Sequence, residues 1–285
     1  MKCYGVILLT IFLTLFGNIN AWEFEEDAPN NASSGRTLGG YLLPRDSEYK
    51  SNSAVLILYY ASKTDRDPSF TCTGSIISKK WIISTAFCFD STERSIDCFE
   101  VLITDANGKV HKRTLEVAYA APGYKKEKLK NNVGLAKVNK PYDLSTGALT
   151  AIKAPKESWD KTKFLDDFLS VAGYRDPYTK HSYFDYEPTV VVVSPRDPAV
   201  YEPCAAFPKR KNEVCGATAD NEKYVVCQGD LGAALYLISK KGEFYLYALA
   251  SYTLTDKCVG PTAYVVISYF NHWIKSIVHA KGDKF

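Results

Sequence analysis

The chain has 285 residues, of which 46% are hydrophobic and 24% are charged. A chain of this length and composition can bury a substantial core, so extensive disorder is excluded and one main domain is favoured. The formal net charge is only +3, which gives no reason by itself to expect a nucleic-acid partner.

The amino-terminal segment predicts secretion. One positive charge precedes an apolar run from residue 5 to 17, so residues 1–21 are interpreted as a signal peptide whose apolar core is too short to span a bilayer comfortably. No second segment of membrane length follows. Residues 22–36 are acidic and then small and polar, which is typical of an exposed leader, and Asn31 begins the only N-glycosylation sequon. We therefore expect a secreted, extracellular protein without a membrane partner.

Short β-branched runs separated by polar turns dominate the first half of the chain. They predict strands at 54–60, 81–83 and 100–104, and an Asn107-Gly108 turn then leads to further strands at 115–120 and 133–138. This spacing predicts an all-β pair of barrels.

The second half continues this pattern after a charged connection. Strands are expected at 168–174 and at 189–193, where the apolar run is the strongest buried-strand signal in the chain. Residues 178–186, which are rich in aromatic side chains, are expected to form an exposed loop. Near the end, apolar residues recur at spacings 3, 4, 7 and 8, which predicts a helix with one buried face. Those residues are Phe270, Trp273, Ile274, Ile277 and Val278.

The 8 cysteines indicate an oxidising compartment. Cys3 belongs to the signal peptide, and spacing alone does not assign pairs among the seven others. These are Cys72, Cys88, Cys98, Cys204, Cys215, Cys227 and Cys258.

Residues 227–234, CQGDLGAA, resemble the nucleophile loop CQGDSGGP of the chymotrypsin and trypsin family, with Leu231 in place of the serine. Residues 81–88, WIISTAFC, resemble the segment that carries the family's histidine, which is replaced by Phe87. Residues 131–138, NNVGLAKV, resemble the segment that carries the aspartate, which is replaced by Asn132. The resemblance implies a chymotrypsin-like double six-stranded β-barrel with a C-terminal helix over residues 37–285. Because nucleophile, base and orienting carboxylate are all missing, it also implies a catalytically inactive serine protease homologue.

The same resemblance implies pairing of Cys72 with Cys88, Cys204 with Cys215, and Cys227 with Cys258. Cys98 is left over, as a buried free thiol or as a cross-link to a second molecule.

The primary specificity pocket of the family corresponds to three altered positions. Val225 occupies the pocket floor, so the aspartate that selects Lys or Arg is missing. Thr253 and Thr262 replace two wall glycines. Because each threonine projects a methyl and a hydroxyl group, we expect a narrowed or closed pocket.

The family's activation junction corresponds to Arg36 and Thr37. If Arg36 is cut, the new ammonium group of Thr37 can pair with Asp230, the aspartate that precedes the nucleophile position. Alternatively, Asp230 only accepts hydrogen bonds from nearby backbone. The sequence leaves both possibilities open.

Two basic segments, at 125–130 and 209–211, suggest a surface for heparin-like glycans or acidic proteins. The alternative is an ordinary solvated face, because acidic residues are interspersed. No clustered His or carboxylate spacing predicts a metal site, and no cofactor is expected.

The resemblance allows three functions. The first is binding of extracellular protease-cascade components in innate immunity. It is implied by similarity to the inactivated protease paralogues of parasitic mites, which are associated with inhibition of host complement. Insect homologues that assist prophenoloxidase activation are an alternative, although they usually carry a clip domain and the short leader here has no cysteine. The second is glycosaminoglycan binding, and the third is residual hydrolysis with an unusual base.

Overall fold

The computed structural model describes residues 52–90, 94–165, 169–174, 189–197, 201–217, 226, 229–254 and 260–285. Several predictions fall outside these residues: the signal peptide, the leader and the aromatic-rich loop at 178–186. The same holds for six individual residues: Asn31, Arg36, Thr37, Val225, Cys227 and Cys258.

The first half of the chain forms a closed antiparallel barrel in the order β1-β2-β3-β6-β5-β4. Its strands are β1 (Ala54–Tyr59), β2 (Phe70–Ile76), β3 (Trp81–Ser84), β4 (Phe99–Thr104), β5 (Val110–Ala120) and β6 (Gly134–Val138). The strand expected at 115–120 begins five residues earlier, because the polar residues from His111 to Thr114 pair with β4 although they bury little apolar surface.

The second half forms a second closed barrel in the order β10-β11-β12-β9-β8-β7. Its strands are β7 (Leu169–Gly173), β8 (Thr189–Arg196), β9 (Glu213–Ala217), β10 (Ala234–Ile238), β11 (Phe244–Thr253) and β12 (Thr262–Val266). Helix α1 (Asn271–Ala280) follows. The predicted pair of six-stranded barrels with a terminal helix is confirmed.

Alternate side chains of a strand reach different cores, because successive residues point to opposite faces. In β1, Val55 and Ile57 point into the first barrel, whereas Leu56 and Leu58 join a core between the barrels. This explains why a strand that is buried along its whole length shows no polar alternation.

In strand β8, the sequence overestimated how many of the valine side chains are buried. Val193 points into the second barrel and Val190 joins the core between the barrels. Val192 is 50% exposed, because it lies on the outer face where no other element covers it in the described part of the chain. An apolar run therefore predicted the strand correctly but not the burial of each side chain.

Helix α1 presents the predicted apolar face to the core between the barrels. Ile274 and Val278 are fully buried, and Trp273 and Ile277 are partly buried beside them. His272 is exposed, as its position on the polar face predicts.

Two predicted disulfides are confirmed, Cys72–Cys88 and Cys204–Cys215, with Cα atoms 6.1 and 6.0 Å apart. The interpretation of Cys98 as a free thiol or intermolecular cross-link is wrong, because Cys98 is disulfide-bonded within this single chain. Its side chain is buried in the first barrel, at 3% exposure. Spacing could not show this, since pairing depends on which segments the fold brings together.

The predicted turn at Asn107-Gly108 is stabilised by Asp105. Its Oδ1 accepts hydrogen bonds from the N–H groups of Asn107 and Lys109 (2.9 and 3.0 Å), and its Oδ2 accepts one from His111 Nε2 at 2.8 Å. Burial opposes ionisation, but these hydrogen bonds outweigh it, so the pKa of Asp105 lies below its usual value.

We expect Asp105→Asn to lower the free energy of unfolding at pH 7 by about 1–2 kcal/mol, because charge-assisted hydrogen bonds are lost. Since the pKa is depressed in the folded state, this stabilisation is present above the unfolded pKa of about 4 and is lost as the pH falls through the folded pKa. Urea denaturation at pH 7 and at pH 3 measures the difference. Asp143→Asn, which removes an exposed turn aspartate, is the control and should cost less. If the difference in free energy of unfolding between wild type and Asp105→Asn is larger at pH 3 than at pH 7, this account is contradicted.

Candidate functional site

The three degenerate positions meet where the two barrels face each other. Phe87 lies in the short 3-10 turn after β3, Asn132 lies two residues before β6, and Leu231 lies in the turn that leads into β10. The structure links the first two by a hydrogen bond, and Cys88 Sγ, next to Phe87, lies 3.6 Å from the carbonyl oxygen of Leu231. The sequence motifs therefore identified residues that the fold brings together.

Asn132 is fully buried and forms hydrogen bonds with both barrels. Its Oδ1 accepts a hydrogen bond from the N–H of Phe87 at 2.9 Å, and its Nδ2 donates one to Ser251 Oγ at 3.0 Å. Neutral amide and hydroxyl groups satisfy each other here, so no charge is held at this position. Ser251, on β11, was not identified from the sequence as a partner of Asn132.

Phe87 belongs to a cluster of rings and one cation. Its ring packs edge to face with Phe70, with centroids 5.5 Å apart. The Arg94 guanidinium lies 4.1 Å from the Phe70 centroid and 5.2 Å from that of Phe87, and Arg94 Nη1 donates a hydrogen bond to the Phe87 carbonyl at 2.8 Å. Because a phenyl ring has no titratable group, Phe87 cannot act as a base, and its contacts fix the ring in place. Arg94 was not identified from the sequence, since nothing in its neighbourhood matches a family motif.

Leu231 is half-buried and packs against the core of the first barrel. Its carbonyl oxygen accepts a hydrogen bond from the N–H of Thr73 at 2.9 Å, and Thr73 Oγ1 donates one to the Gly229 carbonyl at 2.8 Å. The loop that corresponds to the nucleophile loop is thus attached to β2 of the other barrel.

Gly232 sits at the closest approach of this loop to the first barrel. Its φ is +86°, and a β-carbon added there would overlap Ser84 Oγ and the Thr73 carbonyl oxygen. Only glycine combines this backbone conformation with the available space.

Asp230 is completely buried, with its carboxylate against the backbone of Gly173, where a β-carbon would overlap it. It also lies close to Tyr264, whose pKa is raised first by burial and then by the Asp230 charge. Thr37 lies outside the described residues, so the pairing of its ammonium group with Asp230 stays a prediction.

The two predicted wall residues are neighbours. Thr253 on β11 pairs directly with Thr262 on β12, and Thr262 pairs with Gly216 on β9 on its other side. Thr262 is 2% exposed, and Thr253 is half-buried. Since Val225 is not described, the narrowing of the pocket stays a prediction.

Next to these walls, Tyr252 donates a hydrogen bond to Glu213 Oε2 at 3.2 Å. Burial raises the pKa of Glu213, and Arg210, whose Nη1 lies 2.6 Å from Glu213 Oε1, opposes this shift. Burial, followed by the Glu213 charge, raises the pKa of Tyr252 as well. These three residues form a polar network beneath the surface of the second barrel.

Within the described ranges, no group of three or more His, Cys, Asp or Glu side chains is placed to hold a metal ion. In the same part of the chain, no helix has both the length and the apolar character needed to cross a membrane.

Two closed six-stranded antiparallel barrels with these residues at their junction define a chymotrypsin-like fold. The family model described as Trypsin matches residues 46–274, most of the chain, and the chain therefore belongs to the trypsin family.

Curated relatives are distant. The chain is 23% identical over 220 residues to the atrial natriuretic peptide-converting enzyme of Homo sapiens, and 21% identical over 219 residues to that of Mus musculus. Each alignment covers 73% of this chain but only 20% and 19% of the relatives. The chain thus spans about a fifth of the length of these proteins, and the similarity concerns a domain.

Proposed function

We propose that this chain is a secreted serine protease homologue without catalytic activity, which binds and modulates components of an extracellular protease cascade. One observation carries the proposal: all three positions that hold the catalytic triad in this family carry side chains without the required chemistry. Phe87 cannot take up a proton, Leu231 has no nucleophilic atom, and the neutral Asn132 cannot stabilise an imidazolium.

The contacts of these side chains support the proposal. Asn132 uses both ends of its amide within the fold, and Phe87 is enclosed by Phe70 and Arg94. Recovery of catalysis would need a substitute base, and the chain contains four histidines. Of the three that the structure describes, His111 is hydrogen-bonded to Asp105 near the start of β5, and His272 and His279 lie on the terminal helix; His181 lies outside the described residues.

The retained scaffold supports a non-enzymatic role by analogy only, because a double barrel without chemistry still offers the surfaces through which active relatives contact cascade proteins. Inhibition of host complement is the particular cascade role that we propose, on the strength of the resemblance to inactivated mite paralogues. Assistance of prophenoloxidase activation is the alternative within the same class.

We expect the mature wild-type protein to hydrolyse no peptide in a mixed fluorogenic library and to resist labelling by a serine-directed phosphonate. Loss of a triad lowers the rate by on the order of a million-fold. Active trypsin, treated in parallel, is the positive control. Labelling of the wild-type protein that maps to one of its serines would contradict the proposed inactivity.

Cascade binding is tested by capture from vertebrate serum on the immobilised protein, with a high-salt wash to screen weak surface attraction. Chemically inactivated trypsin on the same matrix is the control for the shared fold. Selective recovery of complement proteins supports the proposal. If nothing is retained, the host-directed form of the proposal fails, and the same capture from arthropod haemolymph tests the alternative.

A further inference from the structure

The two basic segments noted in the sequence are about 80 residues apart, yet they form one surface. Arg210 Nη2 donates a hydrogen bond to the Lys128 carbonyl at 2.7 Å, and Arg210 Nη1 donates one to the Leu129 carbonyl at 3.3 Å. Asn212 Nδ2 donates one to Asn131 Oδ1 at 3.1 Å. These bonds join the loop before β6 in the first barrel to the loop before β9 in the second.

Between these loops and the start of α1 lies an open groove of about 570 Å³. Its walls are basic, amide and aromatic, and none of the described residues that line it is acidic. They include Lys130, Asn131, Lys211, Asn212, Tyr269 and Trp273. A volume between about 300 and 1,000 Å³ is typical of ligand sites.

The positive charge of this groove is not neutralised within the described part of the chain. Lys130 and Lys211 are exposed and form no ion pair there. Glu213, two residues after Lys211, has a side chain that is 5% exposed and already paired with Arg210. Arg210 itself holds the two loops together, so the lysines are the groups available to an anionic ligand.

The loop before β6 is held in a costly conformation. Leu129 and Asn131 both have positive φ values, +46° and +52°. Asparagine tolerates this conformation, whereas for Leu129 it is uncommon; such strain persists where surrounding contacts enforce it and clusters at functional sites. Here Arg210 and Asn212 supply those contacts and place Lys130 on the groove wall.

We propose that this groove binds a sulfated, uronic-acid-containing glycan. Two exposed lysines that line one groove match the repeated negative charges of such a chain, and the Tyr269 and Trp273 rings line the same groove, where flat apolar faces suit sugar rings. An acidic peptide is a poorer match, since peptides usually dock along an open strand edge or in an aliphatic pocket, and both barrels here are closed. Glycan binding in this groove requires neither the presence nor the absence of catalysis at Phe87, Asn132 and Leu231.

The probe is heparin, with fully desulfated heparin as the ligand control. We expect Lys130→Ala with Lys211→Ala to weaken heparin binding at least tenfold at physiological salt. Because bound cations release counterions from a polyanion, the slope of log affinity against log salt should fall by about one for each lysine. Lys63→Ala with Lys240→Ala removes the same charge from exposed positions outside the groove and should change affinity less than twofold.

Tyr269→Ala separates a site from a diffuse charged face. Tyr269 is 43% exposed, so its loss leaves the core and the net charge intact, and it should still weaken heparin binding. Equal effects of the two double-lysine variants, equal binding of desulfated heparin, or no effect of Tyr269→Ala would overturn the proposal. Competition by poly-glutamate as effective as that by heparin would assign the groove to acidic proteins instead.

Discussion

Restoring the family's residues at all three positions, through Phe87→His, Asn132→Asp and Leu231→Ser, should leave peptide hydrolysis close to background. Aspartate fits the position of Asn132, where it can accept hydrogen bonds from the Phe87 N–H and from Ser251. The imidazole would instead meet the Phe70 ring and the Arg94 guanidinium, which now pack on Phe87.

The specificity pocket is the larger obstacle. Thr253 and Thr262 pair directly across β11 and β12, so two β-branched side chains stand where the resemblance implies glycines. A substrate that cannot seat its side chain is misplaced at the reacting carbonyl, and misplacement of about 1 Å costs about a hundredfold in rate. Adding Thr253→Gly and Thr262→Gly to the triple variant should therefore raise kcat/KM at least about a hundredfold.

The measurement is kcat/KM on a mixed fluorogenic peptide library, with active-site titration to count competent molecules and circular dichroism to verify folding. Thr253→Gly with Thr262→Gly in the wild-type background is the matched control and should remain inactive. Strong turnover by the triple variant alone would show that the pocket is open and that the argument from the two threonines is wrong.

Gly232→Ala should destabilise the protein severely, by about 3–5 kcal/mol, because two costs combine. The backbone at φ +86° disfavours any β-carbon, and the added carbon would overlap Ser84 Oγ and the Thr73 carbonyl oxygen, both fully buried. Relief requires the loop to move away from β2, which would break the hydrogen bond from the Thr73 N–H to the Leu231 carbonyl.

Gly242→Ala is the matched control, because Gly242 has φ +73° but no neighbouring atom within 4 Å of the added carbon. Gly242→Ala should lower the free energy of unfolding only by the backbone contribution, about 1–2 kcal/mol. Urea denaturation followed by circular dichroism compares the two variants. Ser84→Ala should partly rescue Gly232→Ala by removing one overlapping atom. Equal destabilisation by the two glycine substitutions would refute the close approach of the two barrels at this point.

Much of the fold could be predicted from local sequence. The β-branched runs predicted the strands because side-chain burial and β propensity act over a few residues. The apolar spacing from Phe270 to Val278 predicted the face of α1, which packs as expected. The motifs around Phe87, Asn132 and Leu231 located the candidate site, since each lies beside a cysteine or an apolar strand that marks its place.

Contacts between distant segments were decided by the tertiary structure alone. Sequence counting left Cys98 as an odd thiol, although burial in the first barrel accompanies a disulfide within the chain. The packing of Arg94 on Phe87 and the bond from Asn132 to Ser251 depend on how loops and barrels meet, which no short-range pattern encodes.

In the two basic segments, too, the sequence determined the charges and the tertiary structure decided their contacts. The sequence by itself determined that Lys130 and Lys211 are charged, but with Glu127 and Glu213 close to them in the chain it could not decide whether these lysines are paired. Only the fold decided that Arg210 serves as an internal brace and that the two lysines share one groove. The physical reason is that sequence sets the chemistry and local backbone preference of each residue, whereas packing of the two barrels sets which side chains become neighbours and which stay exposed.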